Sequence, residues 1–498
     1  QITIEGCTEL TCSDNVELRF KSYNWHVQQV DGHNRKEIMA ALEAAVAETS
    51  KPSIIIAKTC IAHGAPTKAG TRESHGEPLG QEEVAQMKKN LGWPVDNPFF
   101  VPEDVRQLWA EVQSAKETTR KQWEEMFKRW REEYPELAKM WDAMQERQVP
   151  ENITDILLAS VDISKTAATR ESGGIALQEA IKLIPSLVGG SADLSPSTKT
   201  YIKAEKPITK DDFEGRNFHF GIREHAMGSI MNGLALYGGF IPFGSTFLVF
   251  SDYTRPTHRL AAINGSQVIY VYTHDSIFVG EDGPTHEPIE HFASLRAIPG
   301  FTVIRPADAA ETAFAWAAAL KNSDGPTALM LSRQKIPSIT SNPETAKGLE
   351  KGAYVVVDVP YEEMHGILIA TGSEVHIAIE AQKLLAQEGI NFRVVSMPSF
   401  ELFEQQDEEY QESVLPEEVE IRIAIEAGTT FGWERYVGRW GLVIGMGRFG
   451  ASAPAPVLAE QFGFTAEGVV DIVKYYLSGC CCEDDCCCED DCDCGCGE

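Results

Sequence analysis

Short apolar runs alternate with helix-like segments over residues 155–342, and this alternation constrains the fold more than any other feature of the sequence. The predicted elements are two helices, Gly173–Ile184 and Asp308–Leu320, and three strands, Val268–Tyr272, Thr302–Ile304 and Ala328–Leu331. Such alternation indicates a parallel sheet with helices on its faces. His274 and Arg333 then fall just beyond the carboxyl ends of two strands, where α/β proteins usually bind ligands.

The regions on either side repeat this pattern. Residues 1–102 and 343–478 also alternate between predicted strands and helices, whereas residues 103–154 form a charged helical connector. We therefore predict an α/β protein with three consecutive α/β domains and mainly parallel sheets. In the third domain, TGSE before the predicted helix Glu374–Gln387 is interpreted as an ordinary helix cap rather than a phosphate cradle.

The stretch from Asn217 to Glu290 concentrates the residues that could carry chemistry. Glu224 follows a glycine-containing turn and precedes an apolar, helix-like run, and Phe247, Phe250 and Tyr253 form an aromatic series spaced three apart. Taken singly, the acid could be an ordinary first-turn helix residue and the aromatics part of the core. Together, a carboxylate beside a water-poor aromatic wall can hold a proton near neutrality and protonate a flat heterocycle.

Three further polar residues of this stretch, His274, Asp282 and His286, lie on two predicted loops. Alone they could be surface residues or a metal site, and the turn-like EDGP segment at residues 281–284 disfavours a metal. Beside the aromatic wall they would serve substrate hydroxyl groups and proton transfers.

Several long motifs of the chain resemble those of the transketolase family: GIREHAMGSIMNG, GSTFLVFSDY, YTHDSIFVGEDGPTHEPIEH, LVGGSADLSPS and TRESHGEPLG. The resemblance extends from Gln1 to Leu477. It implies the thiamine diphosphate-binding fold and an enzyme that transfers a two-carbon ketol unit from a ketose phosphate to an aldose phosphate, through a carbanion of thiamine diphosphate. It also implies a homodimer with active sites at the subunit interface.

The resemblance assigns residues to the cofactor. Glu224 is expected to contact the aminopyrimidine of thiamine diphosphate and to promote its imino tautomer, while Phe247, Phe250 and Tyr253 wall the pyrimidine ring. His75 matches a residue that lies near the thiazolium and assists proton transfer. The catalytic residues implied by the resemblance are Glu224, His75 and His286.

The resemblance also implies a substrate site. Four residues that are far apart in sequence are expected to converge on the sugar phosphate: Arg170, Ser197, His274 and Arg333. Each Arg alone could be a surface ion pair, although the planar guanidinium matches phosphate oxygens well. Asp193 and Asp282 match residues near substrate hydroxyls, and His286 matches one near the cofactor amino group and the donor's hydroxymethyl.

The first domain is expected to be incomplete. The family's GDG motif, with its Asp metal ligand and a later Asn, would lie before Gln1, so residues 1–102 are interpreted as the C-terminal remnant of a diphosphate-binding domain. Residues 155–342 and 343–478 correspond to the pyrimidine-binding and C-terminal transketolase domains. Of the ligands of Mg²⁺ (or Ca²⁺ or Mn²⁺), only the backbone carbonyl of Ile2 has a match, and one carbonyl cannot anchor Mg²⁺.

Three alternatives to an ordinary transketolase follow from these observations. The first is an enzyme like dihydroxyacetone synthase, whose acceptor is formaldehyde. The second is a truncated, non-catalytic partner, which the incomplete first domain favours. The third is half of a split enzyme, with the missing part on a separate N-terminal chain.

Composition narrows the partners and the compartment. A formal net charge of −30 disfavours nucleic-acid binding, and no apolar run reaches the roughly 18–20 residues that would span a membrane. Nine of the 12 Cys follow Gly479, so the body of the chain is typical of a reduced, cytoplasmic protein. The Cys- and acid-rich segment at residues 479–498 could bind soft metals, but without CxxC spacing it is interpreted as a low-complexity tail.

Overall fold

The computed structural model describes residue 2, residues 4–339 and residues 342–479. Most of the Cys- and acid-rich tail, from residue 480 onward, lies outside the described residues, and its role stays a prediction. The chain divides into two units, residues 1–129 and 130–498. Among the described residues, every helix is too short or too polar to cross a membrane.

The first unit is built on two parallel strands joined by a helix. Its elements are α1 (Val16–Ser22), β1 (His26–Asp31), α2 (Arg35–Ala47), β2 (Ser53–Lys58), α3 (Gln81–Asn90) and α4, which extends over Glu103–Glu133. The Ile-rich run of β2 favours a strand, and it pairs in parallel with β1 from Ser53 opposite His26. Helices α1 and α2 begin after Asn15 and Asn34, whose side-chain oxygens accept hydrogen bonds from backbone N–H groups.

The second unit begins with a six-stranded sheet and the helices around it. Its first elements are α5 (Pro135–Gln145), α6 (Ile153–Ser160), α7 (Thr169–Leu183), β3 (Leu187–Ser191), α8 (Ser195–Thr198), β4 (Asn217–His219), α9 (Glu224–Tyr237), β5 (Ile241–Phe247), α10 (Ser251–Ile263), β6 (Ile269–Thr273), α11 (His291–Arg296), β7 (Thr302–Ile304), α12 (Ala309–Lys321) and β8 (Thr327–Leu331). The strand order is β4-β3-β5-β6-β8-β7, and every neighbouring pair is parallel.

A five-stranded sheet follows in the same unit. Its elements are α13 (Pro343–Ala346), β9 (Tyr354–Val357), β10 (Gly366–Ala370), α14 (Glu374–Gln387), β11 (Phe392–Ser396), α15 (Phe400–Glu404), α16 (Glu408–Val414), β12 (Arg422–Ile425), α17 (Glu434–Val437), β13 (Leu442–Ile444), α18 (Ala455–Phe462) and α19 (Ala466–Gly479). The strand order is β13-β12-β10-β11-β9, with only β9 antiparallel to its neighbour. The predicted α/β class with mainly parallel sheets is therefore confirmed.

Two apolar layers cover the six-stranded sheet. One contains Leu177, Phe243 and Trp316, contributed by α7, β5 and α12, and the other contains Met227 of α9 and Tyr270 of β6; all five side chains are fully buried. Because both faces are covered, the strands read as nearly continuous apolar runs rather than as alternating patterns. The core thus fixes the sheet rigidly beneath the loops that follow its strands.

The carboxyl ends of the parallel strands place four predicted site residues at one edge of this sheet. They follow or end β3, β5, β6 and β8 and are Asp193, Phe247, His274 and Arg333. The expectation that His274 and Arg333 lie just beyond strand ends is met, since β6 ends at Thr273 and β8 at Leu331. This edge is where the second unit can bind a ligand.

Candidate functional site

Two arginines, Arg170 and Arg333, bring positive charge to one end of the site. Arg170, in the first turn of α7, donates a hydrogen bond from Nη1 to the backbone oxygen of Ser197 at 2.9 Å, and the same Nη1 lies 3.5 Å from Nε2 of His274. Burial lowers the pKa of Arg170, and the charge of Arg333 lowers it further. Neither Arg forms a salt bridge within the described part of the chain. Two unpaired guanidinium groups that repel one another form a site for an anion.

His274 joins this anion site to the aromatic residues. Its ring stacks on Phe247 with centroids 3.7 Å apart, and its Nδ1 hydrogen-bonds with the hydroxyl of Thr273 at 2.8 Å. Its backbone φ of +60° lies in the left-handed region, a strained conformation that is common at functional sites. Burial, then Arg170 and Arg333, lowers the pKa of His274 to about 3, so the imidazole is neutral near pH 7.

The aromatic series forms a continuous wall. Phe247 and Phe250 stack with centroids 5.9 Å apart, and Phe250 contacts Tyr253 at 6.2 Å and the edge of His286 at 5.6 Å. Phe247 is 9% exposed, whereas Tyr253 is 62% exposed. The outer end of the wall is therefore open for a flat ring to stack on.

Glu224 lies in the same unit with its carboxylate unpaired. It begins α9 after a turn that Gly221 makes with a φ of +67°, and its side chain forms no hydrogen bond or ion pair with any described residue. Burial, then Tyr270 and, least, the charge of Glu224 raise the pKa of the Tyr272 hydroxyl. The Tyr272 hydroxyl is itself hydrogen-bonded to Thr254 at 3.1 Å.

The loop between β6 and α11 carries Asp282 and His286. Gly280 and Gly283 turn it with φ values of +88° and +74°, and the backbone N–H of His286 donates to the oxygen of Gly283 at 2.9 Å. Asp282 is exposed, and Nδ1 of His286 hydrogen-bonds with the hydroxyl of Thr285 at 3.0 Å. The ring of His286 is thereby held against the aromatic wall, while Asp282 extends toward solvent.

Asp193 lies beside a separate cavity of the same unit. It is exposed, has a left-handed φ of +63°, and lines a cavity of about 340 Å³ together with Gly221 and Arg223. Arg223 precedes Glu224 directly, so the cavity borders the amino end of α9. Asp193 is thus near the turn that positions Glu224.

Two predicted site residues, His75 and Ile2, belong to the first unit. His75 follows a short 3₁₀ helix, Arg72–Ser74, and is exposed in a loop, while Ile2 forms an isolated antiparallel bridge with Cys7. The described residues contain one group of three candidate metal ligands, Asp252, Glu290 and His291, and it lies in the second unit. The described residues of the first unit contain no such group of three, and Ile2 offers only a backbone carbonyl, so these residues by themselves give a Mg²⁺ site no support.

The residues of the second unit do fit the pyrimidine half of thiamine diphosphate. A largely buried glutamate with an unpaired, accessible carboxylate and a partly open aromatic wall are what an aminopyrimidine ring requires. The sequence analysis did not identify Tyr272, whose pKa responds to the charge of Glu224, or Glu287, which is buried beside His286. The only sequence signals are that Tyr272 ends the predicted strand before His274 and that Glu287 directly follows His286.

Three protein-family models match the chain. A model described as "Transketolase, thiamine diphosphate binding domain" matches residues 1–150, one described as "Transketolase, pyrimidine binding domain" matches residues 165–338, and one described as "Transketolase-like TK C-terminal domain" matches residues 352–465. The second model spans the residues from Arg170 to Arg333, which include every predicted site residue of the second unit.

Similar proteins cover nearly the whole chain. The transketolase of Halalkalibacterium halodurans is 48% identical over 478 residues, which is 96% of this chain and 71% of that protein. The transketolase of Geobacillus stearothermophilus is 48% identical over 479 residues, covering 96% and 72%. The solved structure of a transketolase from Leishmania mexicana superimposes with a TM-score of 0.89 at 39% identity, covering 96% of this chain and 70% of that one.

The match over residues 1–150 corrects one expectation from the sequence. We expected the chain to lack most of the diphosphate-binding domain, whereas this domain is represented in it. The presence of that domain leaves a separate N-terminal chain without support. The exact domain boundaries that we placed at residues 102, 154 and 342 stay predictions.

Proposed function

Because the chain belongs to the transketolase family of transferases, we propose that the residues around Glu224 carry the two-carbon transfer of this family. The reaction moves a two-carbon ketol unit from a ketose phosphate to an aldose phosphate. When bound, thiamine diphosphate supplies the nucleophilic carbon that accepts this unit. The chain's own residues would hold the pyrimidine ring, orient the sugar phosphate and move protons.

The observation that carries this proposal is the unpaired carboxylate of Glu224. Its side chain is 8% exposed and has no hydrogen-bond partner among the described residues, while its carboxylate oxygens stay accessible, so a ligand can reach them. A ring nitrogen of the aminopyrimidine would be that partner. Glu224, the first residue of α9, would then hold and move the proton at this nitrogen.

The aromatic wall would orient the same ring. Phe250 and Tyr253 lie 6.2 Å apart and are tilted by 31°, which leaves Tyr253 free to stack on the pyrimidine. Phe247 is too buried to stack on the cofactor ring itself. It packs against Phe250 and stacks on the ring of His274. The wall would also exclude water from the site. This exclusion strengthens the interaction between the Glu224 carboxylate and the proton on the ring nitrogen.

The anion site would bind the substrate phosphate. Arg170 and Arg333 supply the charge, and the Ser197 carbonyl fixes the direction of the Arg170 guanidinium. His274 is neutral near pH 7 and would therefore hydrogen-bond a hydroxyl or phosphate oxygen without adding charge.

The remaining site residues would serve hydroxyl groups and protons. We assign His286 to the donor's hydroxymethyl group because its ring meets the edge of Phe250 at 5.6 Å, beside the expected cofactor. Asp282 and Asp193 are exposed carboxylates that would accept hydrogen bonds from substrate hydroxyls. His75 belongs to the first unit, and its role near the thiazolium rests on the resemblance alone.

We also propose a homodimer in the cytoplasm. Four large apolar side chains on α9 and α10 are strongly exposed in the second unit: Leu236 at 61%, Tyr237 at 84%, Leu260 at 51% and Ile263 at 64%. Exposed apolar surface of this kind is typical of protein interfaces. The three described Cys are free thiols, as expected in a reducing compartment. Mg²⁺, Ca²⁺ or Mn²⁺ as the partner of the diphosphate stays a prediction, and we derive no step from it.

Replacement of Glu224 tests the proposal. Glu224→Gln keeps the shape of the side chain but cannot take up a proton, so we expect kcat for ketol transfer to fall by about 10²–10⁴-fold. The measurement is a coupled assay with a ketose phosphate donor and an aldose phosphate acceptor. A matched control is Glu136→Gln, because Glu136 is an exposed first-turn acid of α5 and should leave kcat unchanged.

Two results would contradict the proposal. Retention of wild-type kcat by Glu224→Gln would remove Glu224 from the chemistry. A wild-type chain that uses formaldehyde in preference to every aldose phosphate would favour the alternative that resembles dihydroxyacetone synthase. Binding of thiamine diphosphate would be measured in parallel through the quenching of tryptophan fluorescence. This measurement distinguishes a variant that no longer binds the cofactor from one that binds it but no longer catalyses the reaction.

A further inference from the structure

The loop over residues 280–287 carries two of the proposed site residues, and its conformation depends on a contact with another part of the second unit. We propose that Glu287 is a positioning residue: as a neutral carboxylic acid it docks this loop onto residues 447–453 and so places Asp282 and His286. This inference rests on the proposed function, because it concerns how that site is held in shape.

The carboxyl group of Glu287 is enclosed. The residue is 2% exposed, and both side-chain oxygens are buried without a hydrogen-bond partner among the described residues. A Cβ atom at Gly450 would lie 1.8 Å from one of these oxygens, so only glycine leaves room for the carboxyl there. A charged carboxylate without a partner in such a place is very unfavourable, whereas a neutral acid costs much less.

The rest of the loop contacts the same segment through its backbone. The hydroxyl of Ser452 donates to the backbone oxygen of Glu281 at 2.6 Å. Cβ atoms at Gly280 and Gly283 would lie 3.3 Å from the backbone oxygen of Ala453 and 3.1 Å from Cβ of Ser452. Because side chains do not separate the two segments, a shift of residues 447–453 must move the loop.

Electrostatics agree with the neutral form. Burial raises the pKa of Glu287 to about 7, the nearby charge of Asp282 also raises it, and the backbone amide of Ala451 opposes both without a hydrogen bond of ordinary geometry. From its own loop, Asp282 is the charged group that acts on Glu287. From residues 447–453 the backbone at Gly450 and Ala451 faces the carboxyl, and the one charged side chain of that segment, Arg448, lies over the Phe462 ring at 4.8 Å from its centroid. Since the folded pKa lies above the ordinary value, the docked loop loses stability as pH rises from about 4.5 to 7 and is least stable above that.

The first test is the pH dependence of Glu287→Gln. The amide has the shape of the acid and stays neutral at every pH, so kcat should match that of the wild type below about pH 4.5. Between about pH 4.5 and 7 the wild-type kcat should fall relative to the variant, by at most about tenfold for each pH unit, and above about pH 7 the difference should stay constant. The matched control is Glu281→Gln, an exposed acid of the same loop, whose profile should follow the wild type.

Hydrogen exchange of residues 280–287 gives a second readout that does not need activity. Corrected for the intrinsic rate, protection of this loop should decrease in the wild type as pH rises from about 4.5 to 7 and then level off, and it should stay constant in Glu287→Gln. Superimposable exchange and kcat profiles for the two proteins would overturn the inference. A wild type without ketol transfer but with the expected exchange difference would overturn the proposed function and leave the docking of the loop intact.

Discussion

At the scale of single residues, the anion end of the site separates charge from hydrogen bonding. Arg170 and Arg333 bring two positive charges, whereas the pKa of His274 is lowered to about 3 and its imidazole stays neutral. The neutral ring can accept a hydrogen bond from a substrate hydroxyl, which a charged imidazolium cannot do. Activity near neutral pH should therefore contain no contribution from the titration of His274.

Removal of the Arg170 guanidinium should weaken the binding of the substrate phosphate and leave the rest of the substrate's contacts unchanged. Arg170→Ala removes a charged hydrogen-bonding group, which costs about 1.5–3 kcal/mol, so we expect kcat/KM for phosphorylated donors to fall by about 10–100-fold, mainly through KM. A ketose without phosphate should be used about equally by the variant and the wild type. Steady-state kinetics with both donors measures the difference.

Lys182→Ala is the control for this experiment. Lys182 lies on the same helix as Arg170 but pairs with Glu179 on the exposed surface. Its replacement should leave both donors unaffected. Equal losses for phosphorylated and unphosphorylated donors with Arg170→Ala would show that Arg170 supports the fold of the site instead of binding phosphate.

At the scale of elements, the start of α14 differs from its prediction. TGSE predicted a capping box, but Ser373 makes no cap hydrogen bond to the backbone and instead contacts the Glu374 side chain. Glu374 is fully buried and pairs with Arg305, which also contacts Asp275 at 2.9 Å. Burial alone would lower the pKa of Arg305, but Glu374 and Asp275 outweigh it and raise that pKa. One buried guanidinium thus joins the loops after β6 and β7 to α14.

Replacement of Arg305 should therefore destabilise the chain strongly. Arg305→Met leaves two buried carboxylates unpaired, and breaking a buried pair in this way costs about 3–5 kcal/mol. Urea denaturation, followed by circular dichroism, would measure the free energy of unfolding. Lys383→Ala removes an exposed pair with Glu380 on α14 and should change it by less than about 0.5 kcal/mol. An equally small effect of Arg305→Met would contradict the importance of this pair.

The sequence was informative where a signal is local. The strand predicted at Val268–Tyr272 is observed at Ile269–Thr273, and the helix predicted at Glu374–Gln387 is observed with those bounds, because periodicity and end signals are carried by neighbouring residues. The positions of His274 and Arg333 at strand ends follow from these elements.

Contacts between distant residues could not be predicted in this way. Arg305 and Glu374 are 69 residues apart in sequence. Glu287, in the loop between β6 and α11, lies against Gly450, which follows β13 of the five-stranded sheet. Their burial is decided by packing that periodicity does not encode. The antiparallel pairing of β9 at the edge of the five-stranded sheet could not be predicted either, because its partner strand is set by the topology of the chain.

At the scale of the whole molecule, the site as described is open on one side. The second unit, described by itself, leaves Tyr253 at 62% exposure and presents exposed apolar side chains on α9 and α10, the two helices that begin beside Glu224 and the aromatic wall. A flat ring stacked on Tyr253 would still face solvent on its other side. A second copy of the chain on α9 and α10 would cover this surface and exclude water from the ring.

Disruption of this surface should therefore abolish dimerisation and activity together. Leu236 and Tyr237 are 61% and 84% exposed, and the double variant Leu236→Glu, Tyr237→Glu places two charges on the proposed interface. We expect a dimer-to-monomer shift in sedimentation velocity and a loss of kcat, because a desolvated charge without a partner opposes association.

The control is a charge placed on an exposed helix away from α9 and α10. Tyr475→Glu adds one charge to α19, where Tyr475 is 82% exposed, and should leave both sedimentation and kcat unchanged. Circular dichroism of each variant establishes that it is folded. A double variant that sediments as a monomer and keeps wild-type kcat would mean that the open side of the aromatic wall is closed within one chain, and the interface on α9 and α10 would then have no role in catalysis.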